Sequence, residues 1–314
     1  MTGATPAPLL VSVRGAADTE LLQKHLPGCT IREIDGLASA DAKLVSRAEV
    51  LVLRSGQLLD AGRLSTWPAL RHVIRAGSGL DGIDVAALER RGITMHRNPT
   101  PAADAVAEWA LAALLCLARR IPYGHAALMG GQHVKQQCLA PPSSRMRLAI
   151  WGAGPVGRAC ARTLAPHVGE IAFAARPSLP SALPARSGDE LPVWADAHVV
   201  ALPLTAENRG RFNATFLAGA RARRPLLICV GRLGTLDVDA CLRALVEGRL
   251  GGLALDPVEP TDLPLWPHSD PPGPLNLLAT PHIGAQRHDV RAVLDAWAAT
   301  TAAEVLIPEG NVPR

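Results

Sequence analysis

Aromatic residues make up only 3% of this 314-residue chain, and just one of them is a tyrosine. So sparse a set offers no stacking surface for single-stranded nucleic acid. Runs of one charge are also missing. The net charge of +4 comes from scattered arginines without a basic tract, so no nucleic-acid partner is expected. None of the six cysteines (Cys29, Cys116, Cys138, Cys160, Cys229 and Cys241) forms a Cys-x-x-Cys pair, and most lie in apolar stretches. They read as reduced, buried thiols of a cytoplasmic protein, and no metal site is expected. The amino terminus shows no positively charged leader followed by an apolar core. The longest apolar stretch, Ala105 to Ala118, carries Glu108 and is too short to cross a bilayer, so no membrane partner is expected. What is present is ordinary: 48% hydrophobic and 19% charged residues, with abundant Gly and Pro for loops. The length suits two domains, each large enough for its own core.

The most informative stretch runs from Arg147 to Gly157. A short apolar run, Leu148-Ala149-Ile150-Trp151, reads as a buried strand. It breaks into Gly152-Ala153-Gly154-Pro155-Val156-Gly157 and then into a helical pattern through Val156, Cys160, Thr163 and Leu164. Gly-x-Gly-x-x-Gly between strand and helix is the dinucleotide fingerprint in its required setting. Gly152 permits the turn, Gly154 lets backbone approach a pyrophosphate, and Gly157 lets helix and strand pack closely. The helix start offers N–H groups and a positive dipole end to the phosphates. An ordinary turn is the alternative. The next strand, Ile171 to Ala175, ends without the acid that binds a ribose 2′-hydroxyl, and Arg176 follows. A 2′-phosphate would meet no repulsion there, and Arg176 is placed to pair with it, so NADP(H) is favoured with NAD(H) also open. The other reading of Arg176 is a solvated loop arginine.

Strands and helices alternate along the rest. Leu9–Val13, Ile31–Ile34, Val50–Leu53, His72–Ile74 and Ile93–His96 read as strands, with helices over Ala17–Leu26 and Val85–Arg90. Asn98-Pro99-Thr100-Pro101 breaks the pattern and marks a domain crossing. A long apolar helix is expected over Ala102–Arg120. Its small residues allow close packing against the nucleotide domain or a second subunit, and a homodimer is the expected assembly. Tyr123 to Pro142 reads as a looser connector. Beyond the fingerprint, strands are expected at His198–Leu202, Pro225–Val230, Gly252–Leu255 and Asn276–Ala279, and helices at Phe212–Ala220, from Asp237 to Glu247, and at Ala285–Val305. In an open parallel sheet, ligands bind beyond the carboxyl ends of the strands. Arg232, Asp256 and His282 each follow a strand that has just ended, which places three polar groups around one cleft. Read singly, Arg232 is a surface arginine and His282 a turn histidine.

At these residues the chain resembles the D-isomer-specific 2-hydroxyacid dehydrogenases, a family that includes phosphoglycerate dehydrogenase and glyoxylate/hydroxypyruvate reductase. The motifs match in order from about Val50 onward. Arg75-Ala76-Gly77-Ser78-Gly79-Leu80-Asp81 resembles the substrate loop, and Gly152 to Gly157 the cofactor loop. Leu202-Pro203-Leu204-Thr205 resembles the strand end beside the cofactor. Cys229-Val230-Gly231-Arg232 and Thr280-Pro281-His282-Ile283-Gly284 resemble the two catalytic segments. The resemblance implies an α/β architecture of two doubly wound parallel sheets. A Rossmann cofactor domain over 98–285 would be inserted into a flavodoxin-like substrate domain formed by 1–97 and 286–314. It implies hydride transfer between NAD(P)(H) and a small anionic 2-keto or 2-hydroxy acid. His282 would move the proton and Arg232 would hold the carboxylate and polarise the carbonyl. Backbone N–H groups of Ser78 and Gly79 would also hold the carboxylate. Leu202, Pro203, Val230, Gly231, Asp256 and Gly284 would line the cofactor.

The family's Asp-x-Phe-x-x-Glu-Pro segment supplies a carboxylate partner for the histidine. Here it reads Leu255-Asp256-Pro257-Val258-Glu259-Pro260, and Glu259 matches only if two residues are deleted. Without the gap, Thr261 takes that position, and Glu259 becomes a solvated loop acid. The resemblance favours Glu259. Cys229 and Leu233 replace the usual Asn and Gly, and the Trp common within 130–140 is missing, so the substrate lid is expected to differ. No carboxyl-terminal regulatory domain is expected. Arg54 and Arg75 stand where phosphoglycerate-type members carry substrate arginines. They point to a second anionic group on the substrate, a phosphate or phosphonate, unless Arg75 is spent on a salt bridge within the fold. Two other functions stay open: a dinucleotide-sensing regulator without useful turnover, and a relative oxidising phosphite or formate.

Overall fold

A computed structural model gives the fold and describes residues 7–77, 79–80, 82–176, 179–220, 223–259, 262 and 273–307. The chain divides into two compact units, Met1–Ala102 with Arg287–Arg314, and Ala103–Gln286. The first holds five parallel strands, β1 (Leu9–Val13), β2 (Thr30–Ile34), β3 (Val50–Leu53), β4 (His72–Arg75) and β5 (Thr94–Arg97), in the order β2-β1-β3-β4-β5. That is the flavodoxin-type order. Strands β1 and β3 are buried at every position, which is why they read as unbroken apolar runs rather than alternating ones. Four helices follow: α1 (Thr19–His25), α2 (Ala42–Val45), α3 (Ala61–Ser65) and α4 (Val85–Arg90). Each starts on an aspartate, Asp18, Asp41, Asp60 or Asp84, whose carboxylate accepts N–H bonds of the first turn. The cap at Asp18 moves the start of α1 from the expected Ala17 to Thr19.

The second unit opens with α5 (Ala102–Ala118) and α6 (Ile121–Met129). One face of α5, through Ala103, Val106, Ala107, Ala110, Leu114 and Leu117, is built into the core of this unit. Helix α6 corrects the expectation of a loose connector from Tyr123. Arg120 takes a left-handed conformation (φ 54°) that ends the first helix, and Pro122 is tolerated because it falls in the first turn of the next. Gly124 lies inside this helix, where a methyl group would come within 3.2 Å of Cys138 Sγ. The glycine serves close packing inside a helix.

Then come β6 (Arg147–Trp151), α7 (Pro155–Leu164), β7 (Glu170–Ala174), β8 (Ala185–Arg186), α8 (Leu191–Trp194), β9 (Ala197–Val200), α9 (Ala214–Ala220), β10 (Leu226–Cys229), α10 (Val238–Val246), β11 (Gly252–Leu255) and β12 (Leu277–Ala279). The sheet order is β12-β11-β10-β9-β6-β7-β8, all parallel. The chain works outward from β6 in one direction, then crosses and works outward from β9 in the other, so the switch point lies between them. This is the Rossmann arrangement, and the switch point is where such sheets bind ligands. The last helix, α11 (His288–Leu306), belongs to the first unit and places Ala298, Ala299 and Ala302 in its core. No helix of the described residues is long and apolar enough to cross a membrane. The cysteine expectation holds for three positions. Cys160, Cys229 and Cys241 are buried, and burial pushes each thiol up to about 12. Cys29, Cys116 and Cys138 are only half-buried.

One buried polar group makes stability depend on pH. His198, in β9, is fully buried and accepts the indole N–H of Trp151 at its Nδ1 (3.2 Å). Its other ring nitrogen therefore carries the proton and has no hydrogen-bond partner. Burial pushes its pKa down to about 3, below the ordinary value of 6.5. Between those two values the unfolded chain binds a proton that the folded chain refuses, so stability falls as pH drops below about 6.5. At about 1.4 kcal/mol per pH unit, His198 alone costs about 2 kcal/mol between pH 6.5 and 5. Urea unfolding at the two pH values should show this loss, and His198→Leu should flatten it. An unchanged slope in the variant would assign the acid sensitivity elsewhere.

Candidate active site

The strands of the second sheet end in register. Trp151 pairs with Val200, Val200 with Cys229, Cys229 with Leu255, and Leu255 with Ala279. The loops that leave these residues therefore share one edge. They carry the glycine turn, Leu202-Pro203, Val230-Gly231-Arg232, Asp256 to Glu259, and Thr280 to Gly284. Arg232 and His282 each lie three residues past a strand end, with β11 between the two strands. Neighbouring strands are about 4.8 Å apart, so the two loop bases stand about 10 Å apart on one side of the unit.

The glycine turn is built by contacts. Gly152 has φ 109°, and a Cβ there would lie 2.6 Å from the Ala201 oxygen. A Cβ on Gly157 would lie 1.9 Å from the Gly152 oxygen. These two glycines are demanded by packing of β6, β9 and α7. Gly154 differs: its Cβ direction meets nothing within 4 Å. It caps α7, with Pro155 in the first turn, where a missing N–H costs no helical bond. The Val156 and Gly157 amides belong to that same turn, whose N–H groups find no acceptor inside the helix. Open space over Gly154 and outward-facing amides fit the pyrophosphate of a dinucleotide. Arg176 is exposed, two residues beyond the end of β7. Gly231 is packed like Gly152: a Cβ there would meet the Leu202 oxygen at 2.4 Å. Leu202 is half-buried beside it, Pro203 is exposed, and Val230 is buried.

The histidine loop is held from below by Asp256. This carboxylate is 2% exposed and is satisfied entirely by that loop. It accepts from the Thr280 hydroxyl (2.7 Å), the Ile283 N–H (2.8 Å) and the Gly284 N–H (2.9 Å). Gly284 is required, since a Cβ there would sit 2.6 Å from Asp256 Oδ2. Pro257 and Pro281 form an antiparallel bridge that ties the two loops together. His282 takes φ 55°, unusual for a residue with a Cβ. Its N–H reaches both the Asp256 oxygen (2.7 Å) and the Thr280 oxygen (2.9 Å), which fixes that conformation. The outcome is a 2.5 Å hydrogen bond between His282 Nδ1 and Glu259 Oε1, with both side chains roughly three-quarters buried. Facing a carboxylate, Nδ1 carries the proton, and Nε2 is left to exchange one. The shortened segment thus brings Glu259 onto the histidine. The competing Thr261 lies outside the described residues. Two partners were not read from the sequence. Asp262 accepts the Glu259 N–H (2.9 Å), and Thr280 bonds Asp256. The only signal was a short polar residue at each turn.

Arg232 follows Gly231 in extended conformation, half-buried, with Nη1 donating to the Gly231 oxygen (2.7 Å). Its own carbonyl accepts from the Thr235 hydroxyl (2.7 Å), so the loop after β10 is pinned at its base. The first unit's two candidate substrate arginines both have partners within that unit. Arg54 donates to Asp295 (2.9 Å) on α11 and to the Ala16 oxygen (2.8 Å), a half-buried pair inside its own unit. Arg75 is 4% exposed and donates from Nε to the Gly79 oxygen (3.0 Å). Both guanidiniums hold the fold or the loop, because each strand end offers a nearer acceptor than solvent does. Gly79 is half-buried, and Ser78 lies outside the described residues.

Residues 111–284, more than half of the chain, match the family described as D-isomer specific 2-hydroxyacid dehydrogenase, NAD binding domain. This chain belongs to the D-isomer-specific 2-hydroxyacid dehydrogenases. The glyoxylate/hydroxypyruvate reductase B of Erwinia tasmaniensis is 30% identical to it over 277 residues, covering 84% of this chain and 85% of the reductase. The D-3-phosphoglycerate dehydrogenase of Mycobacterium bovis is 32% identical over 250 residues, covering 77% of this chain. This family member spans about half the length of that relative, 46% of it. Among solved structures, a D-lactate dehydrogenase from Aquifex aeolicus, complexed with NAD and lactic acid, superposes with a TM-score of 0.81. It covers 94% of both chains at 20% identity, and at that identity the likeness speaks to the fold.

Proposed function

We propose that this chain is an NAD(P)-dependent D-2-hydroxyacid dehydrogenase acting on a small 2-keto or 2-hydroxy acid. The observation that carries the reading is the Glu259–His282 pair, held on the same sheet edge as the dinucleotide turn. A bound nicotinamide supplies or accepts hydride. The chain's own groups do the rest. Gly154 and the first turn of α7 hold the pyrophosphate. Arg232 binds the substrate carboxylate and polarises the carbonyl, favouring negative charge on its oxygen. Nε2 of His282 gives that oxygen a proton in reduction and takes one in oxidation. Glu259 fixes the ring and balances its positive charge. A carboxylate at 2.5 Å from the histidine weighs against a purely dinucleotide-sensing role.

With Arg54 and Arg75 turned to acceptors in their own unit, a plain 2-keto acid is favoured over one bearing a phosphate or phosphonate. For the cofactor, the exposed Arg176 and the lack of an acid at the end of β7 support NADP(H). A screen of glyoxylate, pyruvate, hydroxypyruvate and a phosphorylated analogue with NADPH and NADH should give keto-acid-dependent loss of absorbance. No turnover with either cofactor would favour the sensor, and turnover of formate or phosphite the other dehydrogenase class. Arg176→Ala should weaken NADPH by about 1–2 kcal/mol and leave NADH nearly unchanged. Equal effects would retire the phosphate pairing.

A further inference from the structure

The edge of the second sheet opposite the dinucleotide turn carries a cavity of about 450 Å³. It lies at the amino ends of β6, β9, β10 and β11, a strand length, roughly 15 Å, from the carboxyl edge where cofactors bind. Four arginines line it, Arg120, Arg145, Arg223 and Arg224, against a single acid, Asp196. That acid is already spent. One oxygen takes Arg223 Nη1 (3.2 Å) and the other the Arg147 N–H (2.9 Å). Arg120, Arg145 and Arg224 form no ion pair among the described residues. Arg145, Arg223 and Arg224 are exposed and Arg120 is half-buried, so among the described residues lining the cavity one acid, Asp196, stands against four like charges.

Two further observations point to a ligand. Arg120 Nε is buried without a hydrogen-bond partner, and its guanidinium stacks over Tyr123 at 4.7 Å. A buried donor of a charged group left without an acceptor is costly, and an entering anion would satisfy it. The backbone tells the same story. Three residues other than glycine have left-handed conformations among the described residues: His282, Arg120 and Arg224. The first belongs to the active-site loop; Arg120, which ends α5, and Arg224 line this cavity. Such conformations cost about 1–3 kcal/mol each and cluster at functional sites. The remaining walls are apolar, with Leu117, Met146 and Leu226 among them.

We propose that this cavity is a second ligand site, which takes a small anion with at least two negative charges. Bidentate guanidinium contacts suit phosphate or carboxylate groups, and inorganic pyrophosphate and citrate are the probes that separate the two. Calorimetric titration of the full chain, with and without NADH, is the test. Saturable binding is expected that persists when NADH fills the glycine turn and that weakens as salt is raised. The Arg145→Gln/Arg224→Gln double variant should weaken it by at least about tenfold while leaving NADH affinity and turnover unchanged. Arg232→Gln should leave it intact. Absence of saturable binding of either probe would overturn the proposal. So would binding that the double variant keeps, or binding that Arg232→Gln or NADH abolishes, since these would put the anion at the carboxyl edge.

Discussion

His282→Ala is expected to lower kcat about 10²- to 10⁴-fold, the range for a lost general acid–base group, while NADH binds with its parental affinity. The two readouts separate because the histidine and the glycine turn sit on different loops of one sheet edge. Nothing in the turn rests on the imidazole: Gly152 and Gly157 pack against Ala201 and each other. Nor does the fold rest on it, since the loop is held by Asp256 through the Thr280 hydroxyl and the Ile283 and Gly284 amides. Glu259→Gln should give a smaller loss, about 10- to 100-fold, because the ring keeps a hydrogen-bond partner but loses the neighbouring negative charge. Arg232→Ala should fall on kcat/KM more than on NADH affinity, since the carboxylate and the developing oxyanion lose one cation together. Stopped-flow reduction of the best keto acid and a fluorescence titration of NADH measure these quantities. A near-parental kcat in His282→Ala would remove it as the proton donor.

What could be read from the chain was governed by distance along it. Central strands such as β1, β3, β9 and β10 stand out as apolar runs because both faces are buried, and the fingerprint is legible because strand, turn and helix are contiguous. Contacts between distant segments were not legible in the same way. The pairing of Arg54 with Asp295, far along the chain and 2.9 Å away, could not be read from the sequence. The bonds by which Asp256 holds Thr280, Ile283 and Gly284 were not legible either. Glu259 depended on where a two-residue deletion falls, which pattern alone leaves open. The three-dimensional loop decides it through the Pro257–Pro281 bridge and the 2.5 Å contact. Helix α6 was hidden by Pro122 and Gly124, two residues that punctuate most sequences. Here the first lies in an opening turn and the second beneath Cys138.

Gly157→Ala is expected to damage the protein even though alanine is the better helix former by about 1 kcal/mol. Gly157 lies in the first turn of α7, and its φ is not the obstacle. The obstacle is the Gly152 carbonyl, whose oxygen would lie 1.9 Å and carbon 2.9 Å from the new methyl group. Both atoms are backbone, so no side chain can rotate away, and α7 must shift off β6. Overpacking of this kind costs about 1–3 kcal/mol, or about 2–12 °C in Tm for a unit of this size. The shift would also carry the first-turn amides away from the pyrophosphate, so NADH affinity should fall at least about tenfold. Gly154→Ala is the matched control. Its φ of −71° suits any residue and its Cβ direction is open. It should fold with parental Tm, and yet lose NADH affinity, because the methyl group occupies the space over which the phosphates pass. A Gly157→Ala protein with unchanged Tm and affinity would show that α7 does not need its close seat on β6. Parental NADH binding in Gly154→Ala would move the pyrophosphate away from this turn and take the dinucleotide assignment with it.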